Sequence, residues 1–193
     1  MSRPSIKPIE RLFGSCTRSM EGQLIQQRSP VQIGPNSDPL QPCEKIHRVT
    51  LDVMRLLKDR EFPMVITTKF PDVLTQPDYL KAVDGLPLAV QCSISTEDQA
   101  LLSRLEPAAL SWRRRLAAMS TLNDAGVHVI MRLWPFIPDL CGNMEYLLAQ
   151  AKDAGVETVL CNPLKLYSAG GGRRRINEAL GYDYEANSPI RYV

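Results

Sequence analysis

Polar and charged side chains follow each of five short apolar runs in the sequence, at the point where the run ends. The set is Gly34, Asn36, Ser37 and Asp38 after the first run, Thr67, Thr68 and Lys69 after the second, Ser93 and Ser95 after the third, Arg132 and Trp134 after the fourth, and Asn162 and Lys165 after the fifth. One carboxylate, several cations and several hydroxyls or amides would suit a zwitterionic ligand that carries a sugar. Arg132 would pair with a carboxylate, Asp38 or nearby loop carbonyls with an amine, and Ser95 with a hydroxyl. Loops are polar in any fold, so each residue taken singly also has a purely structural explanation.

The runs that precede these residues have the length of β-strands. They cover residues 31–34, 63–68, 87–94, 127–133 and 156–161, and none alternates cleanly, which is typical of strands covered on both faces. Segments with helical periodicity lie between them, at 44–58, 75–83, 101–105, 111–123 and 143–154. This alternation predicts an α/β fold with a parallel sheet and right-handed crossovers. The carboxyl ends of such strands meet at one edge, so the polar residues named above should be neighbours.

Five strands are too few for a closed eight-stranded barrel of roughly 250 residues. An incomplete (β/α) TIM-like barrel of about five parallel strands is expected, and an open doubly wound sheet is the alternative. We divide the chain into an irregular N-terminal segment (1–30, with a short helix near 9–13), the barrel domain (31–167) and a C-terminal appendage (168–193) with a short basic helix.

Composition excludes several classes of protein. The 193 residues, 44% of them hydrophobic, can bury the core of one domain. A net charge of +2 is too small to indicate nucleic-acid binding by itself. There is no apolar run of about 18 residues and no signal-peptide core, so we expect no membrane span and a cytoplasmic location. Five scattered cysteines without close spacing predict neither a metal site nor a disulfide framework, and Cys92 and Cys161 are expected to be small buried hydrophobes.

Two runs of three arginines could bind phosphate groups and would suit a nucleic-acid partner. Arg113-Arg-Arg115 lies on a predicted helix with an apolar opposite face, which favours a solvated surface. Arg173-Arg-Arg175 follows Gly170-Gly-Gly172, which could hold an anion before a helix or act as a hinge.

Five sequence blocks occur in an order that points to a family. They are Ile33-Gly-Pro-Asn-Ser-Asp-Pro-Leu-Gln-Pro42 followed by Glu44, Ile66-Thr-Thr-Lys69, residues 90–95, Leu105-Glu-Pro107, and Arg132-Leu-Trp-Pro-Phe-Ile-Pro138. Together they resemble the spore photoproduct lyase-like branch of the radical S-adenosylmethionine superfamily. The lyase that names the branch repairs thymine dimers in DNA, but the resemblance does not imply the same substrate for this chain.

The resemblance implies a partial six-stranded (β/α) barrel with S-adenosylmethionine across the strand tips, held by a [4Fe–4S] cluster. The cluster cleaves the bound molecule reductively to a 5′-deoxyadenosyl radical, which abstracts hydrogen from a substrate. On matching positions, Gly34, Asn36, Ser37 and Asp38 would cradle the methionyl amine. Ser93 and Ser95 would face the ribose, Arg132 the carboxylate, and Lys69 would line the pocket.

The chain departs from this family at its cluster loop. The Cys-x3-Cys-x2-Cys motif and the first strand are missing, so the cluster has no ligand site in this sequence. Three interpretations stay open: a truncated form of an enzyme, a cluster-less relative that binds a nucleotide-like ligand or a partner, and another α/β enzyme with only the fold in common. Without the first strand, strand 31–34 would be an exposed edge that favours self-association or a covering partner, unless the N-terminal thirty residues fold over it.

Overall fold

A computed structural model describes residues 4–14, 18–137, 140–164, 177–178 and 181. Its strands β1 (Val31–Ile33), β2 (Met64–Thr68), β3 (Leu88–Ser93), β4 (His128–Phe136) and β5 (Thr158–Pro163) form one sheet in the order β1-β2-β3-β4-β5. All four neighbouring pairs are parallel. The predicted α/β class with five parallel strands is therefore confirmed. The described sheet has no reversal of strand order, which a doubly wound sheet requires.

Helices precede, connect and flank these strands in the described part of the chain. They are α1 (Lys7–Gly14), α2 (Met20–Gln26), α3 (Glu44–His47), α4 (Val49–Asp59), a 3-10 helix (Pro71–Val73), α5 (Pro77–Lys81), α6 (Gln99–Leu105), α7 (Trp112–Asp124) and α8 (Met144–Asp153). None of them has both the length and the hydropathy that crossing a membrane requires. The short helix expected near 9–13 is confirmed as α1, whereas α2 was not predicted.

The two faces of the sheet differ in burial. In β4, Val129, Met131 and Leu133 are buried, whereas Ile130 and Arg132 between them keep partial exposure. The buried face packs against apolar residues of α4, α7 and α8 in one core cluster. The registers of β2, β3 and β4 place Thr67, Gln91, Ser93 and Arg132 together on the opposite face. The expectation of two apolar, covered faces holds for one face only, because the second is largely polar.

The helix predicted at 44–58 is divided in two by Arg48, whose φ of +52° is left-handed. The buried carboxylate of Glu44 accepts the backbone N–H groups of Thr50 (3.1 Å) and Leu51 (3.0 Å). These N–H groups lie in the first turn of α4 and have no partner within the helix. Glu44 thus caps α4, and it also accepts the Tyr79 hydroxyl at 2.8 Å. Burial, together with this bond, raises the pKa of Tyr79.

Three further expectations for the periphery have different outcomes. Ile46 belongs to the segment 44–58 with helical periodicity, but it lies in the separate short helix α3 and is 79% exposed. The expectation that Cys161 is buried is wrong: it is exposed, since β5 is the last strand of the described sheet. β1 forms the other edge of the described sheet and pairs only with β2 there, as expected if a preceding strand is missing. Self-association through this edge stays a prediction. The C-terminal appendage lies outside the described residues except for 177–178 and 181.

We expect Glu44→Ala to lower the free energy of unfolding by about 2–4 kcal/mol, because three buried donors lose their acceptor. Tyr79→Phe removes only one of these bonds and should cost about 1 kcal/mol. Urea denaturation followed by circular dichroism measures both. Equal stabilities for Glu44→Ala and the wild type would contradict the capping role.

Candidate ligand-binding site

A cleft of about 380 Å³ lies at the carboxyl-terminal edge of the sheet. Its lining comprises Gly34, Pro35, Asn36, Ser37, Asp38, Thr67, Thr68, Lys69, Ser93, Arg132, Trp134 and Pro135. Seven of the eight residues proposed from sequence therefore share one cleft, and the exception is Ser95. A larger cavity of about 560 Å³ is lined by residues around the amino-terminal ends of β3 and β4. Ligands of open α/β sheets bind at carboxyl ends, so the smaller cleft is the candidate site.

The Asp38 side chain joins the loop after β1 to the end of β2. One carboxylate oxygen accepts the Thr68 hydroxyl (2.8 Å) and the Leu40 N–H (3.0 Å), and the other accepts the Lys69 N–H (2.6 Å). Within the described residues, Asp38 forms no ion pair with a lysine or arginine. Its first role is thus to fix the loop, and the sequence interpretation of Asp38 as a ligand contact did not foresee this. Its negative charge nonetheless remains at the cleft without a cationic partner.

Gly34 allows this loop to approach β2. Its φ of +92° lies in the left-handed region that side chains rarely adopt. A Cβ atom there would lie 2.5 Å from the carbonyl oxygen of Thr67 and 2.5 Å from Cδ of Pro39. Both the backbone conformation and the space therefore require glycine.

Arg132 is the cation of the cleft that lacks a carboxylate partner within the described residues. It donates to the Thr67 hydroxyl at 3.2 Å, and its guanidinium carbon lies 4.4 Å from the centre of the Trp134 ring. Its Nε is buried and has no hydrogen-bond acceptor among the residues that the structure describes. Burial lowers the pKa of Arg132, yet a guanidinium stays charged in proteins. An anionic ligand group would provide the missing counter-charge.

Lys69, the second cation, is already paired. Its Nζ lies 2.8 Å from Glu106 Oε1, and Glu106 Oε2 lies 2.7 Å from a terminal nitrogen of Arg115. Arg115 is fully buried and also donates to the carbonyl oxygens of Leu110 (2.8 Å) and Ser93 (2.6 Å). Glu106 belongs to the block Leu105-Glu-Pro107, whose sequence alone does not indicate this role.

The solvated-surface interpretation of the first arginine run is wrong for Arg115. Its neighbours also have partners: Arg114 lies 3.7 Å from an oxygen of Asp72, and Arg113 lies over the Trp112 ring at 4.3 Å. The run therefore does not present three free cations to a phosphate backbone. The second run, 173–175, lies outside the described residues.

The two serines proposed for a ribose have different positions. Ser93 is the last residue of β3 and lines the cleft. Ser95 is buried, its hydroxyl has no hydrogen-bond partner in the described part of the chain, and it is not among the lining residues of the cleft. The chain leaves the sheet after Ser93 on its way to α6, so strand alternation no longer predicts where Ser95 lies.

The described cysteines do not form a metal site. Cys43 and Cys161 are exposed, Cys141 is partly exposed, and Cys92 is buried. Burial raises the pKa of the Cys92 thiol to about 12, which keeps it protonated. No group of three His, Cys, Asp or Glu residues in the described part of the chain could hold a metal ion. Cys16 lies outside that part.

Comparison with known proteins shows a distant similarity that covers part of the chain. No protein-family model matches the chain. An uncharacterized protein of Methanocaldococcus jannaschii is 28% identical over 116 residues, which are 60% of this chain and 43% of that protein. The match thus spans less than half of the relative's length, and the relative's name states no activity.

We expect Gly34→Ala to destabilise the protein more than Gly126→Ala does. Gly126 also has a positive φ, +80°, but a Cβ there would meet nothing within 4 Å. The control therefore carries only the conformational cost of about 1 kcal/mol, and the Gly34 variant adds a clash with backbone. Thermal and urea unfolding of both variants measures the difference. Equal losses would mean that the loop does not approach β2 this closely.

Proposed function

We propose that the cleft at the strand ends binds a zwitterionic, nucleoside-like small molecule, and that this molecule is S-adenosylmethionine. The observation that carries the proposal is a pair of opposite charges without ionic partners among the described residues. Arg132 has no carboxylate and Asp38 has no cation, and both line one cleft. An α-amino carboxylate presents the complementary pair of charges.

Each part of the ligand has a matching part of the cleft. Arg132 binds the carboxylate, and the carbonyl groups of loop 34–38 bind the amine, whose positive charge Asp38 stabilises. Ser93 binds a sugar hydroxyl. The volume of about 380 Å³ falls within the roughly 300–1,000 Å³ of small-molecule pockets. The choice of S-adenosylmethionine among such zwitterions comes from the five sequence blocks.

The proposed architecture is a segment of a (β/α) barrel. Strands that are neighbours in sequence are neighbours in the sheet, and apolar helix residues pack on one face of it. The other face carries polar side chains towards the space that a barrel would enclose. This arrangement supports the proposal, and the ligand would then lie at the carboxyl-terminal mouth of the barrel.

A [4Fe–4S] cluster does not fit the described residues, because they offer no set of three thiolates. We therefore derive no radical step for this chain and assign it ligand binding. A truncated radical enzyme and a cluster-less binding protein both retain this function. Nucleic acid is the less favoured partner, because Arg115 is buried.

We expect Arg132→Ala to weaken the binding of S-adenosylmethionine by at least about tenfold, since a charge-assisted pair contributes roughly 1.5–3 kcal/mol. Arg132→Lys should restore part of the loss. Arg114→Ala, which removes an exposed arginine outside the cleft lining, is the matched control and should bind like the wild type. Isothermal titration calorimetry measures all four proteins. Equal affinities for Arg132→Ala and the wild type would overturn the assignment of the carboxylate.

We also expect anaerobic reconstitution of this chain with iron and sulfide to give no stable cluster. The readouts are visible absorption and the iron content after desalting. A Cys43→Ser/Cys161→Ser variant controls for adventitious binding by the two exposed thiols. A cluster that survives desalting in both proteins would contradict the binding-only assignment.

A further inference from the structure

Lys69 lines the cleft, but Glu106 holds its ammonium group. The distance from Nζ to Oε1 is 2.8 Å, and the Glu106 side chain is only 7% exposed. A carboxylate in this position competes directly with any ligand anion for Lys69. The cleft therefore presents two cations of unequal availability: Arg132 is unpaired among the described residues, whereas Lys69 is engaged.

Arg115 keeps Glu106 in this position. Its side chain is 0% exposed, and Glu106 is the carboxylate that pairs with it at 2.7 Å. If Glu106 turned away, Arg115 would be a buried guanidinium without a counter-charge, which is strongly unfavourable. Arg115 is itself held by the carbonyl groups of Leu110 and Ser93. The pair between Glu106 and Lys69 is therefore fixed by the protein interior.

We propose that Glu106, held by Arg115, sets the charge selectivity of the cleft. By engaging Lys69 it leaves Arg132 as the one available cation among the described lining residues, so that the cleft accepts a ligand with a single anionic group and discriminates against a phosphomonoester dianion. A dianion binds best where two cations are free to contact it. This inference rests on the proposed function in that it takes the cleft as the ligand site.

The test compares S-adenosylmethionine with AMP, which shares the adenosine group but carries a phosphate. Glu106→Gln removes the negative charge and keeps one amide oxygen, which replaces only one of the two carboxylate oxygens that Lys69 and Arg115 contact. We expect it to tighten AMP binding by at least about fivefold relative to S-adenosylmethionine at low ionic strength, with the gain declining as salt is added. Glu61→Gln, which breaks the exposed pair with Arg28, is the matched control and should leave the ratio unchanged.

A second substitution assigns the gain to Lys69. Adding Lys69→Met to Glu106→Gln should abolish the tightening of AMP. Lys69→Met alone should change the affinities for AMP and S-adenosylmethionine to a similar extent, within about threefold of each other, because Glu106 already engages the ammonium group in the wild type. This single variant decides the question if Glu106→Gln does not fold, since a selective loss of AMP binding would show that Lys69 is already available to a dianion and would overturn the selectivity role.

The outcomes separate the two proposals. An unchanged ratio of AMP to S-adenosylmethionine affinity in Glu106→Gln would overturn the selectivity role, while the proposed function would stand if Arg132→Ala still weakens binding. A wild type that prefers AMP would overturn the selectivity role directly. Binding of neither ligand by the wild type and by Glu106→Gln would overturn both proposals.

Discussion

The carboxylate of Asp38 receives two hydrogen bonds from the end of β2, at Thr68 and Lys69, and a third from Leu40 in its own loop, and so joins the loop after β1 to β2. This junction brings Gly34 against the backbone of Thr67, where no side chain fits. Thr67 in turn accepts a hydrogen bond from Arg132, two strands away. One set of hydrogen bonds thus fixes the wall of the cleft and the distance between its unpaired negative and positive charges. A loop held only by packing would leave that distance variable, and charge complementarity with a ligand would be lost.

Two buried carboxylates support this arrangement from behind the cleft. Glu44 caps α4, whose Thr50 hydroxyl donates to the carbonyl of Pro39 in the cleft loop. Glu106 links Lys69 to Arg115, which reaches the end of β3 at Ser93. Charged groups are costly to bury unless they are paired and hydrogen-bonded, and both carboxylates meet this condition. The loops at the carboxyl-terminal edge of the sheet are therefore held by ionic and hydrogen-bonded contacts, and the helix-covered face of the sheet by the apolar core.

The strands and most helix ends could be predicted because their signals are local. Ser111 and Asn143, where the segments with helical periodicity begin, are the N-caps of α7 and α8. Seven of the eight candidate residues share the cleft because parallel strands bring their carboxyl ends together whatever the tertiary detail. The burial of Arg115 could not be predicted, since helical periodicity contains no information about its partners, the Glu106 carboxylate and the Ser93 carbonyl. The division of the helix at Arg48 was not predictable for the same reason, because it depends on the hydrogen bond that the Glu44 carboxylate accepts from the Thr50 N–H.

The sequence blocks that resemble radical S-adenosylmethionine proteins coincide with the cleft and its supports. Block 33–42 forms the loop wall, Glu44 caps the helix behind it, and Lys69, Ser93 and Arg132 line the cleft. Glu106, from the block at 105–107, holds Lys69. None of these blocks contributes a set of cysteines. The resemblance stays a prediction, and it rests on residues at the cleft and its supports, whereas a cluster loop would be a separate segment. An α/β sheet permits this separation, because each loop at its edge is carried by a different strand.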